Sequence, residues 1–561
     1  MPSPHLADVH TYHNGTKHHF QRFARSLGYL DWASQPNPFR SFQDAAALVL
    51  PPRPDAPAPA ADAAAVLSSE IVGNVLRYAL GLTAWKQFGR SRWPLRANPS
   101  SGNLHPTEAY VIAGAAPGLA GTGAVYHYAA DCHELEQRCA FDASAWDEAV
   151  SDPRAVWLIA LTSIHWREAW KYGERAFRYC QHDMGHAIAA VRIAAEAFGW
   201  RARILPEWSH DDISAVTGIN RDEDFVEAER EEPGCILVVG RGDLTTSVGA
   251  DRCVSPGADT QVRPYERRYA GLIEAVRRGC WTGRANQLSE DHVEWTFIDE
   301  IAAATRDPGC ARPSTGSGRA TSPDTLTLSS SKRELYSTAL MLQRRSAVSL
   351  DGQSSIDAAR FFRMLGRVMP AAGSPFDALW WDARIHLALF VHRVDGLDAG
   401  LYLLPRHPSA VDRLKTAVRQ DYLWEAVAGD SPLVRLARVD ARRYAQRASC
   451  DQEIAADGFF SLGMIADFDA SLETFGPSFY RHLFWESGSV GQVLYLEAEA
   501  AGARGTGIGC FYDDPVHDLF GFTGHAFQSL YHFTIGIPVE DTRLTTSRGY
   551  AWEAASRRAG L

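Results

Sequence analysis

A loop of small residues stands directly ahead of a candidate strand in the stretch RANPSSGNLHPTEAYVI, residues 96–112. Its small or turn-forming residues are Pro99, Ser100, Ser101, Gly102 and Asn103. Where side chains stay small, backbone N–H groups can approach the edge of a flat, polar ligand. The stretch is therefore either an ordinary connection that leads into a strand or a cradle for such a ligand.

A second group of residues suited to binding occurs in QRRSAVSLDG, residues 343–352. Arg344 and Arg345 offer two guanidinium groups, and Ser346 adds a hydroxyl group. Guanidinium groups bind phosphate oxygens through paired, charge-assisted hydrogen bonds. The triplet therefore predicts a site for a phosphate monoester. A weaker counterpart, Arg40–Ser41 in PNPFRSFQ, leaves open whether it also contacts phosphate.

An internal repeat relates the two halves of the chain. At a single offset of 303 positions, residues 171–201 align without a gap with residues 474–504. The residues that are identical to their counterparts are Gly173, Arg178, Gly185, Ala195, Glu196, Ala197, Gly199 and Arg201. Chance agreement between alanine-rich helices is the alternative, but one offset that also matches charged residues favours a duplication.

Each copy predicts the same order of elements, namely a helix, three strands, a long alanine-rich helix and a final strand. This order predicts two fused α+β domains, each a mixed sheet packed by helices. Pro/Ala-rich residues 51–64 read as an extended connector, and residues 306–331 read as a flexible linker. The predicted units are an N-terminal arm with connector (1–64), domain 1 (65–245), a connecting segment with linker (246–334), domain 2 (335–545) and a C-terminal tail (546–561).

The two copies differ at residues that could do chemistry. Lys171–Tyr172 of the first copy becomes Thr474–Phe475 in the second. An ammonium group beside a phenol stabilises the phenolate and lowers the pKa of the tyrosine, so the pair could remove a proton from a substrate. The alternative is a surface lysine next to a packed tyrosine. The PSSGNLHP loop also lacks a counterpart, since the second copy has MPAAGSPFDALWWDARI there. The chemistry is therefore assigned to the first copy.

Composition narrows the classes of partner. The formal charge is −11 over 561 residues with no long basic block, which gives no reason to expect nucleic acid or an anionic membrane as a partner. The nine cysteines include no CxxC pair, which is typical of a reducing compartment. The N-terminus does not resemble a signal peptide, and no apolar run reaches the length of a membrane span. We expect a cytoplasmic protein that acts on small molecules or on another protein.

Three further motifs predict no site of their own. HDMGH, residues 182–186, places two imidazoles on one helical face, but no third zinc ligand follows, so no metal is predicted. GTGIGC, residues 505–510, imitates a dinucleotide fingerprint, but a cysteine takes the third glycine position and no helix follows. His13, Lys17, His18 and His19 have mixed spacing and read as a polar helix face.

Together these segments resemble one known family. RANPSSGNLHPTEAYVI is similar to the loop and strand of the SagB-type branch of the nitroreductase superfamily, the flavin-dependent azoline dehydrogenases of peptide maturation. The block KYGERAFRYCQHDMGHAIAAVRIAAEAFGW resembles that branch's second motif, and RRSAV resembles the opening that holds FMN phosphate. Family members are generally homodimers with FMN at the dimer interface, so a tandem copy implies an intramolecular pseudo-dimer.

The resemblance implies roles for individual residues. It implies that Lys171 and Tyr172 are catalytic and move a proton while a hydride goes to flavin N5. Arg96 would carry positive charge beside the flavin, although a solvated loop arginine is an equal alternative. The residues that it implies for FMN binding are Arg96, Ser100, Ser101, Gly102, Asn103, His105, Arg344, Arg345, Ser346, Thr506, Gly507 and Gly509.

The function that follows is an FMN-dependent oxidoreductase that oxidises a thiazoline- or oxazoline-like group in a small molecule or modified peptide. Two alternatives stay open. One is an NAD(P)H-dependent nitro or quinone reductase, and the other is a non-catalytic flavin-binding subunit of a peptide-modifying complex. Fold and site similarity do not determine the substrate. The number of flavins per chain, one or two, is also left open.

Overall fold

The structure is a computed structural model that describes residues 4–51, 66–242, 244, 264–309, 334–370, 373–427 and 432–552. Nearly all of the predicted connector, most of the predicted linker and the end of the predicted C-terminal tail lie outside these residues. The fold is α+β, as predicted, with sheets packed by helices.

Helices account for the long alanine-rich segments and several short connections. They are α1 (Pro4–Gly15), α2 (Ser69–Ala79), α3 (Ala143–Ala149), α4 (His165–Tyr172), α5 (Ala176–Ala197), α6 (His210–Thr217), α7 (Pro264–Arg277), α8 (Thr296–Ala304), α9 (Thr338–Gln343), α10 (Ala358–Arg367), α11 (Val411–Ala417), α12 (Arg442–Ala448), α13 (Ile454–Asp457), α14 (Phe468–Phe475), α15 (Phe479–Ala500) and α16 (Asp513–Phe520). Among the described residues, no helix is both long and apolar enough to cross a membrane.

Strands form two large sheets and three small ones. They are β1 (Phe42–Gln43), β2 (Ala46–Val49), β3 (Leu82–Phe88), β4 (Ser91–Arg96), β5 (Thr107–Ala113), β6 (Gly123–Ala129), β7 (Glu134–Phe141), β8 (Val156–Ser163), β9 (Arg201–Ile204), β10 (Glu232–Gly240), β11 (Cys280–Trp281), β12 (Arg284–Ala285), β13 (Ile356–Asp357), β14 (Ile385–Val391), β15 (Val394–Asp395), β16 (Gly400–Leu404), β17 (Glu425–Ala426), β18 (Val434–Arg438), β19 (Phe460–Asp467), β20 (Arg504–Ile508), β21 (Phe527–Gly536) and β22 (Thr545–Arg548).

The two large sheets have equivalent strand orders. The first runs β11-β7-β6-β5-β8-β10-β9, and the second runs β17-β18-β16-β14-β19-β21-β20. In the described residues each ladder of these two sheets is antiparallel, where the sequence pattern predicts parallel pairs as well. Strands β8 and β10 are separated in the sequence by helices, yet they lie side by side in the sheet and run in opposite directions. The hydrophobic spacing of the helices between two strands does not reveal the direction in which the second strand runs.

The repeat segments become matching helix pairs. Helices α4 and α14 each have 8 residues, α5 and α15 each have 22, and both pairs start 303 positions apart. Nearly every residue of α5 and α15 is buried, because each helix packs on a sheet and on the other long helix. The buried residues include charged ones, such as Asp183 of α5 and Glu486 of α15, which therefore need polar partners inside the protein.

Two glycines allow the long helices to touch backbone to backbone. A Cβ atom at Gly185 would collide with the carbonyl oxygen of Trp485, and one at Gly488 would collide with that of His182. Trp485 stands 303 positions after His182, and Gly488 stands 303 positions after Gly185. The contact is therefore reciprocal, as a two-fold relation between the halves requires.

Segments outside the predicted domains add regular structure to them. Strand β11, in the predicted connecting segment, pairs with β7 at the edge of the first sheet. Strand β22, at the start of the predicted tail, pairs with β3 of the first half. Nearby, the Tyr550 hydroxyl accepts a hydrogen bond from the Leu82 N–H group at 3.0 Å. Residues 545–550 therefore lie against the first half.

Candidate cofactor site

A cavity of about 380 Å³ is lined by residues of both halves. This volume falls within the usual range for small-molecule sites, about 300–1,000 Å³. The predicted binding residues that line it are Arg96, Ser100, Ser101, Gly102, Asn103, His105, Arg344, Arg345, Ser346, Thr506, Gly507 and Gly509. Tyr172 lines it too, together with Asp183, which the sequence pattern did not single out as a cavity residue.

Arg40 takes no part in this cavity. Its buried guanidinium group forms an ion pair with Glu231 at 3.3 Å and donates to the Glu229 carbonyl group. Ser41 is likewise absent from the cavity lining. Arg40 and Ser41 therefore do not contribute to a phosphate site in this cavity, because Glu231 holds the Arg40 guanidinium group elsewhere.

The small-residue loop is anchored on the long helix α5. Gly102 has φ of +58°, and a Cβ atom there would lie 2.6 Å from the Tyr172 hydroxyl oxygen. The Ser101 N–H group donates to both carboxylate oxygens of Asp183, at 3.1 and 3.2 Å. The Ser100 hydroxyl oxygen accepts from the His105 N–H group at 2.8 Å. The Ser101 N–H group, one of the backbone groups that the small side chains leave accessible, is therefore paired with Asp183.

Asp183 and Glu168 bring two buried carboxyl groups below this loop. Burial raises the pKa of Asp183 to about 7, although hydrogen bonds from Ser100 and Ser101 oppose the rise. Burial, and then the charge of Asp183, raise the pKa of Glu168 well above its usual value. At neutral pH this pair therefore retains at least one proton close to the cavity. The sequence contained a signal for Asp183 only within HDMGH, where it read as a poor zinc-site residue.

The electrostatics of Tyr172 differ from the sequence prediction. Burial, followed by the neighbouring Glu168, raises the pKa of Tyr172 well above 10. The Lys171 side chain is exposed, and its Nζ lies 5.3 Å from the centroid of the Tyr172 ring. The prediction that the ammonium lowers this pKa is wrong, because acidic groups lie on the buried side of the phenol. Tyr172 is thus a hydrogen-bond donor at neutral pH and not a base.

Positive charge dominates another part of the cavity wall. Arg344 donates to the carbonyl groups of Ala97 and Arg96, at 3.2 and 2.9 Å, and so ties the second half to the loop of the first. Arg345 donates to the Thr83 carbonyl at 3.2 Å. Burial and then Arg344 lower the pKa of Arg345 to about 10, so it stays charged at neutral pH. The carbonyl partners carry no charge, and the single carboxylate of Glu499 offsets the two guanidinium groups only in part, which suits an anionic ligand.

The strand β20 and the residues after it supply a glycine-lined wall. A Cβ atom at Gly507 would collide with the Tyr531 hydroxyl group, and one at Gly509 with the Tyr179 ring. The Gly507 N–H group and the Ser346 hydroxyl group both donate to the Tyr495 hydroxyl oxygen, at 2.9 and 3.0 Å. GTGIGC therefore forms strand β20 and the two residues after it, against the cavity. The expectation that no helix follows it is wrong, since α16 starts at Asp513, but the glycines lie in a strand and not in the turn of a dinucleotide fold.

The equivalent position in the second half is filled by side chains. Glu486, the counterpart of Asp183 in the repeat, accepts from the Trp381 indole N–H group at 3.1 Å. The Trp381 ring stacks on His482 with centroids 4.9 Å apart. Trp380 packs against Phe475, the counterpart of Tyr172, at 5.6 Å. Trp380 and Trp381, from the segment that replaces the PSSGNLHP loop, thus occupy the position that is an open cavity in the first half.

The histidines of the weaker motifs have structural partners. His182 Nε2 lies 3.0 Å from the Leu530 carbonyl oxygen, and His186 Nε2 lies 3.2 Å from the Tyr531 hydroxyl oxygen. His13 is buried, with Nε2 at 2.9 Å from the Gln528 side-chain oxygen. The prediction of a polar helix face is wrong for His13 and Lys17, because the second half covers both side chains and Lys17 lies beyond the end of α1.

Comparison with known proteins supports the fold. No protein-family model and no curated protein matches the sequence. A protein from Anabaena variabilis that is described as a nitroreductase has a similar crystal structure, with a TM-score of 0.68 and 20% sequence identity. The match covers 95% of this chain and 99% of that chain. The chain therefore has a nitroreductase-type fold over nearly its whole length.

Two further structures match only part of the chain, with lower scores. An assigned nitroreductase from Ralstonia eutropha has a TM-score of 0.27 and 14% identity over 38% of this chain and 90% of that chain. The Escherichia coli microcin synthetase McbBCD complex, solved with truncated pro-microcin B17, has a TM-score of 0.25 and 17% identity over 42% of this chain and 82% of that chain.

Proposed function

We propose that this protein is an FMN-dependent oxidoreductase whose one cofactor site is the cavity between the two halves. The observation that carries the proposal is the composition of that cavity. Glycines line one part of its wall, and Arg344 and Arg345 in another part form no ion pair with a carboxylate among the described residues. We further infer that the chain arose by duplication, which the reciprocal contact of Gly185 and Gly488 supports.

The residues present fit FMN in both charge and shape. Arg96 has a buried Nε atom without a hydrogen-bond partner among the described residues, and Arg344 and Arg345 lie in the same cavity. These groups would hold the phosphate and the pyrimidine edge of the flavin. Gly507 and Gly509 would allow its ring to lie against the wall, where any larger residue collides with a tyrosine.

The residues around the cavity divide the proton chemistry among them. FMN, when bound, supplies an acceptor for two electrons from a substrate carbon. The Tyr172 hydroxyl group keeps its proton at neutral pH and orients a substrate by donating a hydrogen bond. Asp183 is the wall residue that exchanges a proton near pH 7. Lys171 stands at the exposed side of Tyr172, with its Nζ 5.3 Å from the centroid of that ring.

We propose a cyclic thiazoline or oxazoline in a modified peptide as the substrate. The support is the resemblance of the loop RANPSSGNLHP and the KYG block to azoline dehydrogenases. Trp380 and Trp381 fill the equivalent position in the second half, which supports one flavin per chain. The reaction would take place on the side of the cavity that carries Tyr172.

The test begins with the absorption spectrum and mass of the purified full chain, with FMN added if the sample is colourless. We expect one FMN per chain. Bleaching of the flavin band is then followed without oxygen, with an azoline peptide or with NAD(P)H. Bleaching by the azoline alone supports the dehydrogenase, and bleaching by NAD(P)H alone supports a nitro or quinone reductase. A protein that takes up no flavin refutes the proposal, and a protein that binds flavin but is bleached by neither reagent favours the non-catalytic flavin-binding subunit.

A further inference from the structure

Two cysteines meet in the cavity wall although they lie 60 positions apart in the sequence. Cys510 follows Gly509 and lines the cavity. Cys450 lies in the turn after α12. Their sulfur atoms are 2.9 Å apart, and both side chains are partly accessible to solvent. A covalent S–S bond is about 2.05 Å long, so a small side-chain movement would join them.

We propose that Cys450 and Cys510 are a redox-active pair that closes reversibly into a disulfide in the cavity wall. The oxidant is a small-molecule disulfide of the glutathione type. The Cys510 thiolate attacks it, which forms a mixed disulfide and releases one thiolate. The Cys450 thiol then loses its proton and attacks Cys510 Sγ, which releases the second thiolate. The two protein thiols are thus oxidised by two electrons, and the small-molecule disulfide is reduced to two thiols.

The surroundings assign the attacking role to Cys510. The hydrogen bond with Cys450, and then the Arg175 guanidinium, lower the pKa of Cys510, whereas the pKa of Cys450 is raised. Arg175 is fixed near this site because it donates to the Gly509 carbonyl at 3.2 Å and to Asp513 at 3.0 Å. A thiolate beside a fixed cation is the usual environment of a reactive cysteine.

A metal site is the competing explanation. His18, Cys450 and Cys510 offer ligand atoms that all lie within 4.8 Å of one another. Zinc-bound thiolates lie about 3.8 Å apart, given Zn–S bonds of about 2.3 Å in tetrahedral geometry. The observed 2.9 Å between the sulfur atoms is shorter than that. The Arg175 guanidinium would also repel a cation here. The geometry therefore favours bond formation between the two sulfurs.

The bond would connect two parts of the wall that already touch. The Gln452 side chain donates to the Ser449 carbonyl at 2.8 Å and to the Cys510 carbonyl at 3.1 Å. Gln452 also lines the cavity. Oxidation would therefore fix the turn at residues 449–452 to the cavity wall without a large rearrangement. The proposal does not depend on flavin, and its test can be performed on flavin-free protein.

The experiment compares the full-length protein with three variants after treatment with oxidised glutathione and removal of the reagent. The variants are Cys450→Ser, Cys510→Ser and, as a control, Cys132→Ser at an exposed free cysteine. We expect peptide mapping of wild type and the control to find a 450–510 disulfide that dithiothreitol reverses, whereas any exposed cysteine that reacts, such as Cys280, carries a glutathione adduct instead. We expect Cys450→Ser to stop at a mixed disulfide on Cys510.

Three outcomes would overturn the inference. One is a wild-type protein that retains the glutathione adduct at Cys510. Another is oxidation that spares both residues while other cysteines react. The third is one bound zinc per chain that is lost in both cysteine variants and protects the thiols from oxidation. Variants that fold poorly are recognised by circular dichroism, and the peptide map of wild type then decides the question by itself.

Discussion

Replacement of Asp183 by asparagine tests the electrostatics of the cavity floor. The side chain is fully buried, and burial raises its pKa from 3.8 to about 7. Between these values the unfolded chain has released the proton while the folded protein retains it. Folding stability therefore falls as pH rises through this interval, by about 1.4 kcal/mol per pH unit, and levels off above pH 7. The total cost is about 4 kcal/mol.

The Asp183→Asn variant would keep a side-chain carbonyl oxygen that can accept the Ser101 N–H group but would carry no titratable proton. We therefore expect the free energy of unfolding of Asp183→Asn, relative to wild type, to rise by about 3 kcal/mol between about pH 5 and pH 8. Urea denaturation of the flavin-free full chain at several pH values measures it. Asp147→Asn, at an exposed site, is the matched control and should follow wild type. Parallel pH profiles of Asp183→Asn and wild type would refute the buried-acid argument.

The remaining predictions concern the flavin site. Tyr172→Phe should retain bound flavin and lose at least roughly tenfold in the rate of flavin bleaching by substrate, whereas Phe475→Leu should leave that rate unchanged; equal rates would contradict the assignment of chemistry to the first half. Arg345→Gln should weaken FMN binding roughly tenfold, because one charge-assisted contact is lost, and fluorescence titration measures the change. The control variant Arg360→Gln, at an exposed site, should bind FMN normally. Gly507→Ala should abolish FMN binding and keep the fold by circular dichroism, because its methyl group would collide with a tyrosine hydroxyl; normal uptake would remove the glycine wall from the site.

Much of the architecture was accessible from sequence because it depends on local periodicity and on the repeat. The offset of 303 positions predicted two equivalent helices, and α5 and α15 start with that spacing. The α+β class followed from the same pattern. The direction of strand pairing did not, since it depends on how distant segments meet. The strand β22 was missed for the same reason, as its polar residues form a strand only against β3.

Short motifs predicted which residues would be neighbours but not what each would do. The loop at residues 100–103 and the triplet Arg344–Ser346 line one cavity, although more than 200 residues separate them. The expected low pKa of Tyr172 was wrong because burial, and then the charge of Glu168, raise this pKa. The neighbouring lysine in the sequence does not set this pKa, because burial, which the sequence does not show, has the largest effect, followed by Glu168 one helical turn away.

The sequence by itself determined the helical repeat, the positions of the small-residue loop and arginine triplet, and the loss of Lys171–Tyr172 from the second half. Only the tertiary structure decided that Trp380 and Trp381 fill the second position, that Asp183 holds the Ser101 N–H group, and that Cys450 meets Cys510. The physical reason is that periodicity and composition act through neighbours in the chain. Electrostatics, packing and sulfur contacts act through distances in space, which arise only when both halves have folded together.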